Sequence, residues 1–227
     1  MKRESVDNRL FLFGGEKVSK EKELERRSYN FEVLADDEDG KTIIGRPIVY
    51  DSKTDLGLFD EIIDRGALDR TDLTDVRFLV NHDTSKIPLA RSRRNNGNST
   101  MKLSVDNEGM EIKVTLDTEN NAEARALYSA VQRQDISGMS FCFSVSDEEW
   151  DDLDSDHPTR RIKAISSVVE VSAVTFPAYD STDIQARSKE ALENARSAVE
   201  TARQQREQEV DTSLELAKAK FDFIARL

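Results

Sequence analysis

Cysteine is almost absent: Cys142 stands alone among 227 residues, so no intramolecular disulfide can form and no cysteine-based metal site can be assembled. That usage fits a reducing cytoplasm. Histidine is nearly as scarce, and His82 and His157 are the two candidates for any imidazole base. Nine glycines form no phosphate-cradling loop, and nothing in the sequence suggests a nucleotide or other cofactor. Positive charge is in deficit, with 33 Lys and Arg against 45 Asp and Glu and a net charge of −12. A general nucleic-acid binder needs clustered cations against phosphate, so DNA is not an expected partner. No run approaches the roughly 18 apolar residues of a membrane span. The N-terminus carries only Leu10-Phe11-Leu12-Phe13 where an export signal would need a longer apolar segment. The chain is expected to be soluble and unexported.

What is present is a chain that is 37% hydrophobic and 34% charged, enough for one ordinary core with extensions. Residues 1–28 are dominated by charge, and Glu16 to Arg27 shows no repeating apolar face, which reads as a removable arm or a plain unfolded tail. Residues 29–187 read as the folded domain. Short alternating segments predict strands near 29–35, 41–50, 59–64, 76–82, 87–93, 99–106, 109–117, 140–150 and 160–176, with turn signals such as Asp37-Glu38-Asp39-Gly40 between them. Asn120 and Asn121 are suited to cap a helix over about 121–133 with Ala122, Ala126, Leu127, Ala130 and Val131 on one face. Many strands with one embedded helix predict an α+β fold, mainly β, built as a closed or nearly closed barrel flanked by helices.

Residues 188–227 contain no Gly or Pro and predict a long helix with two apolar phases. Leu192, Ala195, Val199 and Ala202 form a thin stripe, while Val210, Leu214, Ala217, Phe221 and Ile224 follow coiled-coil spacing. The second stripe predicts either packing on the folded domain or docking to a partner or a second copy. The acidic run from Asp147 to Asp156 resembles a calcium loop only in part. Asp152, Asp154 and Asp156 match the first ligands of an EF-hand, but His157 stands where its glycine belongs and Lys163 where its bidentate Glu belongs. It reads as a solvated hairpin tip.

Three stretches together offer serine, histidine and carboxylate. In Gln134-Asp135-Ile136-Ser137-Gly138-Met139-Ser140-Phe141-Cys142-Phe143 a helical pattern gives way to a strand, and a serine at that junction can have its hydroxyl exposed by the turn and held by the strand. Both Ser137 and Ser140 are candidates, with Gly138 between them to supply backbone freedom. In Phe78-Leu79-Val80-Asn81-His82-Asp83 a histidine closes an apolar strand, where its ring can be fixed; His157, before Pro158 in the acidic loop, is poorly placed for rigid geometry. In Val168-Val169-Glu170-Val171-Ser172-Ala173-Val174 a carboxylate interrupts an apolar strand, a costly position unless it is paired, and an imidazolium is a suitable partner. Asp83, beside His82, is the alternative. A serine nucleophile needs such a base and such a third group. Gly138-Met139-Ser140-Phe141-Cys142 lacks the final glycine of an esterase elbow.

In this order, and with Arg27-Ser28-Tyr29-Asn30-Phe31-Glu32-Val33, Gly45-Arg46-Pro47-Ile48-Val49-Tyr50-Asp51 and Asp60-Glu61-Ile62-Ile63-Asp64-Arg65-Gly66-Ala67-Leu68, these stretches resemble the prohead maturation proteases of tailed bacteriophages. Those are serine endopeptidases related in fold to the herpesvirus assemblins. The likeness runs from about residue 27 to 187. It implies a barrel of the herpesvirus-protease type, Ser140 as nucleophile, His82 as base and Glu170 as third member, without metal or cofactor. Assemblins use a second histidine in that third role, so the fold relationship alone does not dictate a carboxylate. The resemblance further implies action inside the procapsid, in the host cytoplasm, on scaffold protein or the scaffold segment of the major capsid protein and on the enzyme itself. The alternative is a non-catalytic assembly protein that retains the fold.

Overall fold

Alternating apolar residues build two sheets and leave one helix to close the core between them. The computed structural model describes residues 24–29, 34–36, 40–93, 98–175 and 189–224. The strands are β1 (Glu25–Tyr29), β2 (Leu34–Asp36), β3 (Thr42–Val49), β4 (Lys53–Asp55), β5 (Asp60–Ile63), β6 (Asp75–Val80), β7 (Ala90–Arg93), β8 (Met101–Val105), β9 (Gly109–Thr115), β10 (Gly138–Asp151) and β11 (Thr159–Val174). The helices are α1 (Ala122–Gln132) and α2 (Lys189–Ile224). The mainly β, α+β reading holds. The predicted arm up to residue 23 and the Phe176-to-Tyr179 end of the third motif lie outside the described residues.

The larger sheet has seven strands in the order β1-β10-β11-β5-β4, with β6 on β11 and β7 on β6. Its spine is the long antiparallel pair β10 and β11. The free edge of β11 takes two parallel partners in turn, β5 against Thr159 to Ile162 and β6 against Glu170 to Ala173. The smaller sheet runs β2-β3-β9-β8. Phe78, Met139, Phe141 and Val171 of the first sheet share one buried cluster with Ile43, Ile48, Ile112 and Val114 of the second. Gly45 marks a close approach of the two sheets, because a Cβ there would overlap the Met139 sulfur. Asn121 caps α1, its Oδ1 accepting from the N–H of Glu123 and Ala124 at 2.9 and 3.3 Å. The buried face of α1 is Ala124, Leu127, Tyr128 and Val131, whereas Ala122 and Ala126 are exposed. Tyr128 supplies apolar area that alanines at 122 and 126 would not.

Among the described residues the expected barrel is not closed. β1 and β2 pair with different sheets. At a second corner β7 hands over to β8 through single bonds, Thr100 N–H to the Arg91 carbonyl at 3.0 Å and Arg91 N–H to the Thr100 hydroxyl at 2.9 Å. No ladder among the described strands joins the two sheets. Alternation records which side chains face a core, not whether two sheet edges meet.

The charged N-terminal stretch also departs from its reading, since Glu25 to Ser28 lies in β1, paired with β10. Its charges are used inside. Arg27 bonds Glu61 through Nε and Nη2 and Glu25 through Nη2, at 2.5 to 2.7 Å, and lies over the Phe143 ring. Arg160 reaches Glu25, Glu61 and Glu148, and Glu61 is only 1% exposed. Partners so distant in sequence leave no local pattern. Removing one member strands the others, so Arg160→Ala should cost about 3–5 kcal/mol, read as a lower melting temperature. Burial alone would raise the Glu25 carboxyl, but the Arg160 bond and the charges of Arg27 and Arg160 hold it below the ordinary range. A depressed folded value means that this stabilisation is present above the unfolded glutamate value of about 4.3 and is lost as pH falls through the folded one. Thermal melts of the wild type should therefore fall more steeply below about pH 4 than those of Arg160→Met.

Helix α2 divides where its apolar stripe changes phase. Val199 and Ala202 are buried. Arg203 donates to the carbonyls of Leu153 and Ser155 at 3.0 and 2.9 Å, and Arg206 pairs with Asp154 at 3.0 Å. The acidic tip is therefore not simply solvated: Leu153 is buried and its backbone holds the helix. Beyond it, Val210, Leu214, Phe221 and Ile224 are exposed.

Candidate active site

β10 and β11 carry the polar residues that the core excludes. Met139, Phe141, Val171 and Ala173 belong to the core cluster, so the alternate residues Ser140, Cys142, Glu170 and Ser172 share the opposite face. In the antiparallel register Ser140 stands directly across from Ser172, and Cys142 across from Glu170. Directly opposed residues have Cβ atoms about 4.5–5.5 Å apart. Ser140 and Ser172 have no exposed surface and Glu170 is 5% exposed, while the His82 side chain keeps 16% of its surface.

His82 is brought to this face by the turn after β6. Both Asn81 and His82 adopt left-handed backbone, with φ of 51° and 58°. Such a conformation costs a non-glycine residue roughly 1–2 kcal/mol and persists where surroundings over-determine it. Here they do. Asn81 N–H donates to the Ala173 carbonyl and the Asn81 side-chain oxygen accepts from Thr175 N–H, both at 2.9 Å. The Asn81 amide also donates to the Thr175 hydroxyl at 3.1 Å, and His82 N–H donates to the Ser172 hydroxyl at 3.1 Å. The turn is thus riveted to the end of β11, two residues beyond Ser172.

The His82 Nδ1 hydrogen bonds Glu170 Oε1. The second carboxylate oxygen, Oε2, accepts from the Ser172 hydroxyl at 2.7 Å. A carboxylate takes the Nδ1 proton as acceptor, which leaves Nε2 as the basic nitrogen. Asp83 is occupied otherwise: its carboxylate accepts from the backbone and hydroxyl of Ser85 at 3.1 and 2.5 Å. Those Ser85 bonds hold its carboxyl below the ordinary range. The structure thus brings His82 and Glu170 together and keeps Asp83 apart. His157 lies near the start of β11, with Nε2 3.1 Å from Asp60 and 3.8 Å from Asp55.

Ser140 differs from its sequence reading in two ways. It sits inside β10, two residues beyond the strand's first residue, Gly138, and not on the turn; the exposed serine of the turn is Ser137. Gly138 is paired with Val174 and has no left-handed backbone, so turn freedom is not its role. The Ser140 hydroxyl donates to the Arg27 carbonyl of β1 at 2.8 Å, and not to His82. That bond has to break before the hydroxyl can donate elsewhere. Cys142 beside it is a buried thiol, pushed up by burial and then by the Glu170 charge, and so held as the neutral thiol.

Sequence reasoning passed over Ser172 and the Asn81 side chain. A signal for Ser172 existed, because Glu170 and Ser172 are the two polar residues of an otherwise apolar run and share a face by alternation. The Asn81 clamp left none, since its partner Thr175 is remote in sequence. For a metal, the described residues offer one grouping, Asp55, Asp60 and His157, with ligand atoms within 4.8 Å. Lys53 already occupies the Asp60 carboxylate together with His157. Lys53 and His157 hold that carboxyl below the ordinary range against a burial effect that would raise it.

Residues 29–197 match the family described as Caudovirus prohead serine protease. The chain is also 30% identical over 123 residues to the prohead protease of Enterobacteria phage HK97, a match covering 53% of this chain and 49% of that protein. The chain thus spans about half the length of the curated relative it matches. No solved structure matches it.

Proposed function

The chain belongs to the caudovirus prohead serine protease family, and from that premise we propose that it is a serine endopeptidase using Ser140 as nucleophile, His82 as base and Glu170 as the group that holds the base. The observation that carries this reading is the His82 Nδ1 bond to Glu170 on the sheet face that also bears Ser140. With Nδ1 engaged, Nε2 accepts the Ser140 proton as Oγ attacks the scissile carbonyl carbon. The C–N bond then breaks, the departing amine takes that proton from His82, and an acyl-enzyme on Ser140 remains. Water, deprotonated by the same nitrogen, hydrolyses it.

The proposed substrates are scaffold protein or the scaffold segment of the major capsid protein, and the enzyme itself, inside the procapsid and in the host cytoplasm. In this reading β1 together with residues 29–187 forms the catalytic domain, and residues 1–24 and 188–227 flank it. Co-expression with the proposed capsid and scaffold substrates tests the assignment: intact-mass measurement should show new termini in those proteins with the wild type and none with Ser140→Ala. Unprocessed capsid and scaffold with the wild type would instead favour a non-catalytic assembly protein of this fold.

The exposed stripe at Val210, Leu214, Phe221 and Ile224 supplies an apolar contact for a capsid or scaffold partner or for a second copy. A chain ending at Glu209 keeps the Arg203 and Arg206 contacts with the hairpin tip. It should keep its melting temperature and peptide cleavage and lose incorporation into procapsids. Normal incorporation of that chain would contradict the role given to the stripe.

A further inference from the structure

We propose that Ser172 is a positioning residue for the His82–Glu170 pair, holding the base through both its partner and its own backbone; the inference rests on the triad reading above. Its hydroxyl has one proton and is used on both sides. It donates to Glu170 Oε2 at 2.7 Å and accepts the His82 backbone N–H at 3.1 Å. The first bond fixes the carboxylate so that Oε1 faces His82 Nδ1. The second satisfies an N–H that belongs to a left-handed residue, φ 58°, and so keeps the strained turn over the sheet. Ser172 is fully buried, and no water need intervene for either bond.

A purely structural role would satisfy Glu170 and the turn without touching the proton affinity of the base. A positioning role makes a different prediction. With the Ser172 donor removed, the charge of Glu170 concentrates on the oxygen facing His82, and the imidazolium is favoured over the imidazole. The other groups around the pair stay constant: Cys142 across from Glu170 on β10, Arg77 across from it on β6, Arg26 across from Cys142 on β1, and Asp83 beside His82, engaged by Ser85.

The probe is diisopropyl fluorophosphate reacted with the full chain across pH. The Ser140 oxygen bonds phosphorus, fluoride leaves and the hydroxyl proton passes to His82, so the rate constant follows the base without any peptide substrate. Ser172→Ala should react about tenfold more slowly or worse, the scale of a lost hydrogen bond to a charged group. Its acid limb should be displaced to higher pH. Ser172→Thr, which keeps the hydroxyl in a strand that suits β-branched residues, should restore the limb. If the alanine variant does not fold, Ser172→Cys, which keeps the shape and weakens the donor, should displace the limb in the same direction. An acid limb identical to wild type in the alanine or cysteine variant, whatever the rate, overturns the role of Ser172. Absence of any wild-type adduct, or an adduct elsewhere than Ser140, overturns the triad reading and this inference with it.

Discussion

Ser140→Ala is expected to lower peptide cleavage by about 10⁴ to 10⁶ while the protein stays folded. The residue's hydroxyl makes one hydrogen bond, to the Arg27 carbonyl. A neutral bond of this kind contributes about 0.5–1.5 kcal/mol, so the melting temperature should move by only a few degrees. Alanine also suits the site sterically, since it fits a fully buried strand position and removes only one oxygen. A large kinetic loss beside a small thermal one is the mark of a group that touches the reacting atoms. Ser137→Ala, in the exposed turn, should leave both unchanged, and the opposite pattern would move the nucleophile to the turn.

His82→Ala should be as inactive as Ser140→Ala, for a different reason and with a different thermal signature. It removes the proposed base, leaves the buried Glu170 without its imidazole partner, and places alanine in a left-handed conformation that asparagine tolerates better. His82→Asn therefore separates chemistry from backbone: it should recover much of the melting temperature and none of the activity. Combining His82→Ala with Ser140→Ala should add almost nothing, because the two act as a unit. Glu170→Gln should lose less than either, since the third member orients the base without bonding to substrate. His157→Ala should stay within about twofold of wild type, as its ring is 41% exposed and faces Asp60 far along β11 from Glu170. Steady-state kinetics on one peptide substrate for the whole series decides it, and full activity in His82→Ala would overturn the base assignment.

Much of this site was legible in the sequence because each part sits where a periodic pattern is interrupted. Glu170 breaks an apolar strand, His82 ends one, and Ser140 follows a helix end, so their residue types stand out against their neighbours. Most strands followed from alternation, and both helices and the phase change in α2 from helical spacing, but β4 was not read and most of β1 lay in the stretch read as a charged extension. What could not be read depends on partners remote in sequence. Arg27 looks like part of a charged tail until Glu61 and Arg160 stand beside it. The burial of Ser140 depends on β1 lying along β10. The open arrangement of the sheets turns on how β1 and β2 divide between them, which no local pattern encodes. The choice between Glu170 and Asp83 was open in the sequence because adjacency along the chain and adjacency in space differ: the turn aims His82 at β11 while Asp83 folds back onto Ser85.

In the proposed mechanism Ser140 is a nucleophile made reactive by the His82–Glu170 pair. Peptide mapping of the wild-type chain and of His82→Ala after equal exposure to diisopropyl fluorophosphate separates this mechanism from its rivals. The prediction is a single phosphoryl adduct on Ser140 in the wild type and essentially none in His82→Ala. An adduct on Ser137, or equal labelling of Ser140 in both proteins, would contradict it.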